Sequence, residues 1–254
     1  GSEMCIRDSP VIVRPSYVLG GRAMELIYTE SDLTNYVNNR VEISPDNPLL
    51  IEKFLEDATE IDIDLISDGE NVLIGGILQH IEEAGIHSGD SSCSFPPYSV
   101  AEKKILELKK EIKGVAKKLN VKGLMNAQVA IKNDEFYMIE VNPRASRTIP
   151  FLSKCLGHSL AKLASKVLIG NSLKDLGFSS EIVPTSYAVK APVFPFNKFL
   201  KVDPILGPEM KSTGEVMGRG STFGEAFGKA IKAAGDEIPT KGNIFVSVKD
   251  SDKK

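Results

Sequence analysis

The run Tyr137-Met138-Ile139-Glu140-Val141-Asn142-Pro143-Arg144-Ala145-Ser146-Arg147 puts a carboxylate, a carboxamide and two guanidinium groups on one short stretch. Side chains of an extended strand alternate sides, so Met138, Glu140 and Asn142 would share one face, with Ile139 and Val141 on the other. Pro143 would end the strand, because it has no N–H to give a ladder. Carboxylate and amide oxygens are hard donors that suit Mg²⁺. Arg144 and Arg147 suit phosphate oxygens, which a guanidinium can grip bidentately. Metal ligands followed by an anion clamp are what phosphoryl transfer needs. The same residues also suit a merely solvated strand end, so the rest of the chain has to separate the two readings.

The elements around this run must bring its groups together. Leu124–Ile131 reads as a strand, Asn133-Asp134 as a turn and Phe136–Val141 as the returning strand, a tight antiparallel hairpin. Gln128 would then converge with Glu140 and Asn142 as a third oxygen ligand, leaving room for water and phosphate oxygens. Upstream, Val11–Val13 and Glu25–Thr29 read as short strands, and Ser31 as the cap of a helix through Asn39. Leu49–Leu55 is a further apolar stretch after the prolines at 45 and 48. Ile61, Ile63 and Leu65 alternate with Asp62 and Asp64, predicting a half-buried strand, and Val72–Leu78 its hairpin partner after the Asp68-Gly69 turn. A Gly/Ser-rich loop from Gly85 to Ser92 leads to a long amphipathic helix, Ser99 to Leu119, with Ile105, Leu108, Ile112, Val115 and Leu119 at helical spacing. Helices are predicted over Thr148–Leu156, Ser159–Ile169 and Thr222–Ala233, and strands at Ser186–Ala191 and Asn243–Val248. Hairpins plus helices, without strict β-α-β alternation, indicate an α+β fold on an antiparallel sheet.

The chain has 254 residues, 42% hydrophobic and 26% charged, with a net charge of −3. That balance gives no electrostatic case for nucleic acid or an anionic membrane. No apolar run approaches the ~20 residues of a membrane span. Cys5, Cys93 and Cys155 are too scattered for a disulfide framework or a zinc motif, which suits a reducing, cytoplasmic setting. Residues 1–9 resemble a cloning scar and translated adapter, and are set aside. The chain lacks both the Gly-x-x-x-x-Gly-Lys-Ser/Thr loop and the Gly-x-Gly-x-x-Gly turn, so P-loop and Rossmann readings lose support. Gly20-Gly21 could let backbone N–H groups approach phosphates, or could simply form a turn.

Four long stretches carry a resemblance. They are Val13 to Met24 (Val-Arg-Pro-Ser-Tyr-Val-Leu-Gly-Gly-Arg-Ala-Met), Gly85 to Ser91, Gly123 to Gln128, and Ile139 to Arg147. Together they resemble the large-subunit family of carbamoyl-phosphate synthases, within the ATP-grasp superfamily, from Pro10 to the C-terminus. The form Asn142-Pro143-Arg144-Ala145-Ser146-Arg147-Thr148-Ile149-Pro150-Phe151 is similar to the second of that family's two synthetase halves, which phosphorylates carbamate. Asp203 to Gly218 resembles the segment leading from that half into the allosteric domain. The resemblance implies an ATP-grasp fold truncated at its N-terminus. Residues 10–52 would be part of the lid subdomain and 53–235 the C-terminal subdomain with its connector. Residues 236–254 would begin a methylglyoxal-synthase-like allosteric domain.

The resemblance also implies roles. Arg14 would contact ATP phosphates from the lid. Lys53 and Leu55 would meet the adenine, and Glu60 the ribose side. Gly85, Ile86, His87 and Ser88 would complete the nucleotide pocket. Gln128, Glu140 and Asn142 would hold Mg²⁺ or Mn²⁺, two ions per site, and Arg144 and Arg147 would steady carbamate and the phosphoryl group. Glu60, His80 and Glu82 would lie near a monovalent-cation (K⁺) site. A glutamine amidotransferase small subunit would be the parent's partner, in arginine and pyrimidine biosynthesis. Two rivals stand beside this reading: another ATP-grasp ligase of the biotin-carboxylase type, and a non-catalytic nucleotide-binding fragment.

Overall fold

A computed structural model describes residues 10–16, 23–41, 48–196, 198, 203–248, 250 and 253. The leader at 1–9 and the Gly20-Gly21 lid tip lie outside the described residues. Strands β1 (Val11–Pro15), β2 (Glu25–Ile27) and β3 (Leu49–Lys53) form a small antiparallel sheet in the order β2-β1-β3. Helix α1 (Glu30–Asn39) contributes Tyr36 to a core with Val11, Val13 and Ile27. Its cap is Thr29, not Ser31. The Thr29 hydroxyl accepts from Asp32 N–H, and the Asp32 carboxylate accepts from Thr29 N–H in return. This reciprocal box satisfies two groups at the helix start, which Ser31 would leave open.

The main sheet holds β4 (Thr59–Ser67), β5 (Val72–His80), β6 (Cys93–Phe95), β7 (Gly123–Lys132), β8 (Glu135–Asn142), β9 (Tyr187–Val193) and β10 (Gly214–Gly220). Their order is β10-β9-β6-β5-β4-β7-β8, antiparallel throughout. The α+β antiparallel expectation is met. Strands β6 and β10 are additions, one directly after the expected Gly85–Ser92 loop and one in the Gly-rich final third. Helix α2 (Glu102–Lys118) covers one face, its Leu108 and Ile112 packing with Ile61, Ile63 and Met125. Helices α3 (Ile149–Leu156) and α4 (Leu160–Leu168) cover part of the other, where Leu152, Leu160 and Val167 meet Ile66, Leu78 and Leu124. Helix α5 (Phe223–Ala234) packs Ala226 and Ala230 on Val189 and Ala191. A Cβ on Gly218 would fall on the α5 backbone at Ala226 and Ala230, so only glycine allows that approach.

Two expectations are corrected here. β4 is not half-buried: it lies inside the sheet with helices over both faces, and Asp62 and Asp64 are each 1% exposed. Alternation of apolar and acidic residues mimicked a strand with one wet face. The predicted strand over Asn243–Val248 is irregular, with Ile244, Phe245 and Val246 exposed. β-propensity needs a partner strand to act on, and none of the described strands pairs with it.

Candidate functional site

The β7–β8 hairpin turns at Asn133 and Asp134, both with positive φ (51° and 64°), the geometry of a two-residue hairpin loop. Its register makes Gln128 the cross-strand partner of Glu140, and Asn126 that of Asn142. On the other side of β7, Asp62 opposes Gln128 and Asp64 opposes Asn126. Directly opposed residues share a face, so two polar rows cross the sheet: Glu140–Gln128–Asp62 and Asn142–Asn126–Asp64. The expected convergence of Gln128, Glu140 and Asn142 is present. Met138 departs from it: a register shift after Gln128 sets Met138 opposite Val129, on the face of the α2 core. An extra residue in one strand reverses the alternation beyond it.

At the end of β8, Asn142 Nδ2 donates to Glu140 Oε1 at 2.7 Å, and Arg144 Nη2 donates to Asn142 Oδ1 at 3.2 Å. Glu140 and Arg144 are exposed and Gln128 and Asn142 half-buried, so the group faces solvent while resting on the sheet. Three side chains offering carboxylate or carboxamide oxygens, with no imidazole or thiolate among them, fit a hard divalent cation such as Mg²⁺.

The Gly85–Ser92 loop lies against the same place. Gly85 has φ 99°, and a Cβ there would sit 2.6 Å from the Phe54 ring, so the hinge after β3 meets this loop. A Cβ on Gly89 would touch Arg147 Nη1 at 3.2 Å, and Arg147 also contacts the Met210 sulfur. Burial holds the His87 pKa below its ordinary value, aided by the Arg147 charge and opposed by Asp90 and Glu140. His87, Arg147 and Glu140 are therefore electrostatic neighbours. The loop is tied down on two sides. Lys190 Nζ donates to Ser88 O at 2.9 Å from below. From the connector, Lys211 N and Ser212 N donate to the Asp90 carboxylate at 2.7 and 2.8 Å.

Glu60 is buried, with the Gly85 backbone N–H among the groups that favour its charged form. Burial raises its pKa, with the His80 charge opposing. Glu82 Oε2 accepts from Ser92 N–H at 2.6 Å. His80 Nδ1 and Ser91 Oγ are buried without a hydrogen-bond partner among the described residues, and Glu60 Oε1 is 3.9 Å from that Nδ1. A water beside Glu60 would give the His80 Nδ1 a partner. Arg14 and Lys53 are not drawn into the hairpin group. Arg14 Nε pairs with Glu52 at 3.2 Å within the small sheet, Lys53 is exposed and Leu55 half-buried.

The buried acidic row beneath the site was missed from sequence. Asp62 accepts from His80 Nε2 at 2.8 Å, and Asn126 Nδ2 reaches Asp62 at 3.4 Å and Asp64 at 3.3 Å. Burial works against protonation of His80, but the Cys93 sulfur and the Asp62 carboxylate outweigh it and hold its pKa well above the usual value. Asp62, His80 and Cys93 place their donor atoms within 4.8 Å of one another. The readable signal was Glu60, Asp62 and Asp64 in one phase of the strand, the phase the hairpin register joins to Gln128 and Asn126.

Residues 7–176 match the family model described as carbamoyl-phosphate synthase L chain, ATP binding domain. The large chain of carbamoyl phosphate synthase from Pseudomonas putida is 57% identical over 244 residues, 96% of this chain and 23% of that protein. That from Ralstonia nicotianae is 55% identical over 248 residues, with the same shares. The chain thus spans about a quarter of the length of these relatives. Among solved structures, a biotin carboxylase complex from Campylobacter jejuni superposes with a TM-score of 0.66 at 18% identity, covering 89% of this chain and 56% of that one. An L-amino acid ligase from Bacillus licheniformis gives 0.63 at 14%, covering 88% and 61%. The latter two show a shared fold, the ATP-grasp arrangement. With the motif-bearing hairpin, the sheet and the sequence relatives in agreement, the chain belongs to the family of carbamoyl-phosphate synthase large-chain ATP-binding domains.

Proposed function

We propose that this chain is the nucleotide- and metal-binding part of the synthetase half that phosphorylates carbamate, giving carbamoyl phosphate and ADP. One observation carries the reading: Gln128, Glu140 and Asn142 share a sheet face that runs directly into Arg144 and Arg147, against the His87 loop. Mg²⁺ or Mn²⁺ held by these oxygens would neutralise phosphate charge. The protein's own contribution is positioning and charge. Arg144 and Arg147 would orient carbamate and take up charge on the transferred group. Gly85, Ile86, His87 and Ser88, with Lys53 and Leu55, would line the nucleotide, and Arg14 would approach its phosphates. Glu60 fits the ribose side or, with Glu82 and near His80, a K⁺ site, for which its buried carboxyl would supply the oxygen.

The activity belongs to a longer large chain with an amidotransferase small subunit, and residues 236–254 would lead into its regulatory domain. No helix among the described residues is long and apolar enough to cross a membrane. The test is ATP formation from carbamoyl phosphate and MgADP by the large chain. Glu140→Ala should lower it by about 10²-fold or more, as loss of a transition-state charge partner does. His80→Ala should retain most of it. The isolated 254-residue chain should show little. Full activity in Glu140→Ala would refute the metal assignment.

A further inference from the structure

Arg144 and Arg147 lie on an exposed turn between the edge strand β8 and helix α3, a poor place for groups that must hold an anion in register. Something has to fix that turn. Thr148 occupies the N-cap position of α3, yet its hydroxyl makes no cap bond. It donates instead to Asp64 Oδ2, at the centre of the sheet. Ser146 Oγ lies 2.6 Å from Thr148 Oγ1, and its hydroxyl is among the groups that favour the charged form of Asp64. Asn126 Nδ2 donates to the other Asp64 oxygen at 3.3 Å. Asp64 is 1% exposed and Thr148 5%.

Forgoing a cap and burying a carboxylate are both unfavourable locally, and such violations mark positions under functional constraint. The geometry points to Asp64 as a positioning residue, which sets Arg144 and Arg147 by gripping the turn between them and α3 through Ser146 and Thr148. It touches no substrate. The two hydroxyls flank Arg147 in sequence, so the guanidinium that meets the His87 loop is held from both sides. This inference rests on the functional reading above, in which those arginines hold the carbamoyl or phosphoryl anion.

The test uses the full-length large chain and the reaction of carbamoyl phosphate with MgADP. Thr148→Val keeps the shape and loses the hydroxyl, whereas Thr148→Ser keeps it. Thr148→Val and Asp64→Asn should raise the KM for carbamoyl phosphate about tenfold while leaving that for MgADP within about twofold. Thr148→Ser should restore the wild-type value, and Ser146→Ala should fall between. Wild-type constants in Thr148→Val, or equal rises in both KM values, would overturn the proposal. Should Asp64→Asn not fold, the Val and Ser variants at 148 still decide it. A wild-type enzyme that forms no ATP, or Arg144→Ala and Arg147→Ala variants with unchanged KM for carbamoyl phosphate, would instead sink the functional reading, and the proposal with it.

Discussion

Asp62 and Asp64 are alternate residues of one strand, both buried, and they are driven to opposite protonation behaviour. Burial raises both. At Asp62 the His80 hydrogen bond and charge win, and the pKa falls below the usual carboxylate value. At Asp64 burial is answered only by neutral donors, Ser146, Thr148 and Asn126, and is reinforced by the like charge of Asp62, so its pKa is pushed up to about 6. A carboxyl whose folded pKa lies above its unfolded value stabilises the fold at low pH. That stability is full below the unfolded value of 3.8 and is lost as pH rises through about 6. The loss amounts to about 3 kcal/mol, at ~1.4 kcal/mol per pKa unit. Urea unfolding between pH 4 and pH 7.5 should show this decline in the wild type, and Asp64→Asn should make it shallower by the Asp64 share while leaving that of Glu60 and His80.

Elements show where local signals suffice and where they fail. The β7–β8 hairpin was legible because its turn residues and two-residue alternation agree, and its register then aligned Gln128 with Glu140. The bulge that turns Met138 away was not legible, since no residue type in Tyr137–Glu140 requires it. Helix α1 begins at a cap two residues before the expected one, because Asp32 completes the box with Thr29 and nothing completes one with Ser31. Thr29→Ala should cost about 1 kcal/mol, read as a lower denaturation midpoint with an unchanged slope. The β9–β10–α5 unit depends on backbone proximity at Gly218. Gly218→Ala should destabilise by about 1–3 kcal/mol through overpacking, seen as a lower Tm.

For the molecule as a whole, the site is assembled from parts far apart in the chain. The Gly85–Ser92 loop is anchored by Lys190 beneath it and by the connector near Lys211, through the fully buried Asp90. Asp90→Ala would leave the amide N–H groups of Lys211 and Ser212 without their acceptor. Hydrogen exchange should then accelerate together in residues 85–92 and 205–213, with a stability loss of about 2–3 kcal/mol. If only one of the two segments responds, the loop and connector are not a single unit.

The sequence by itself determined the chemistry on offer: oxygen donors at Gln128, Glu140 and Asn142, the arginines beyond Pro143, and motif stretches specific enough to indicate the family. These were legible because metal and phosphate binding demand particular residue types at short spacing. Only the tertiary structure decided what lies underneath. Burial of Asp62 and Asp64 depends on which strands flank β4 and which helices cover it, and no local pattern distinguishes a wet face from a charged interior. The grip of Asp64 on Thr148, and of Asp90 on the connector, joins residues 84 and more than 120 positions apart. Contacts of that span follow from chain topology, not from neighbouring residues. The Glu140–Arg147 run could therefore be recognised as a clamp from its residues, while what holds the clamp in place became visible only in the fold.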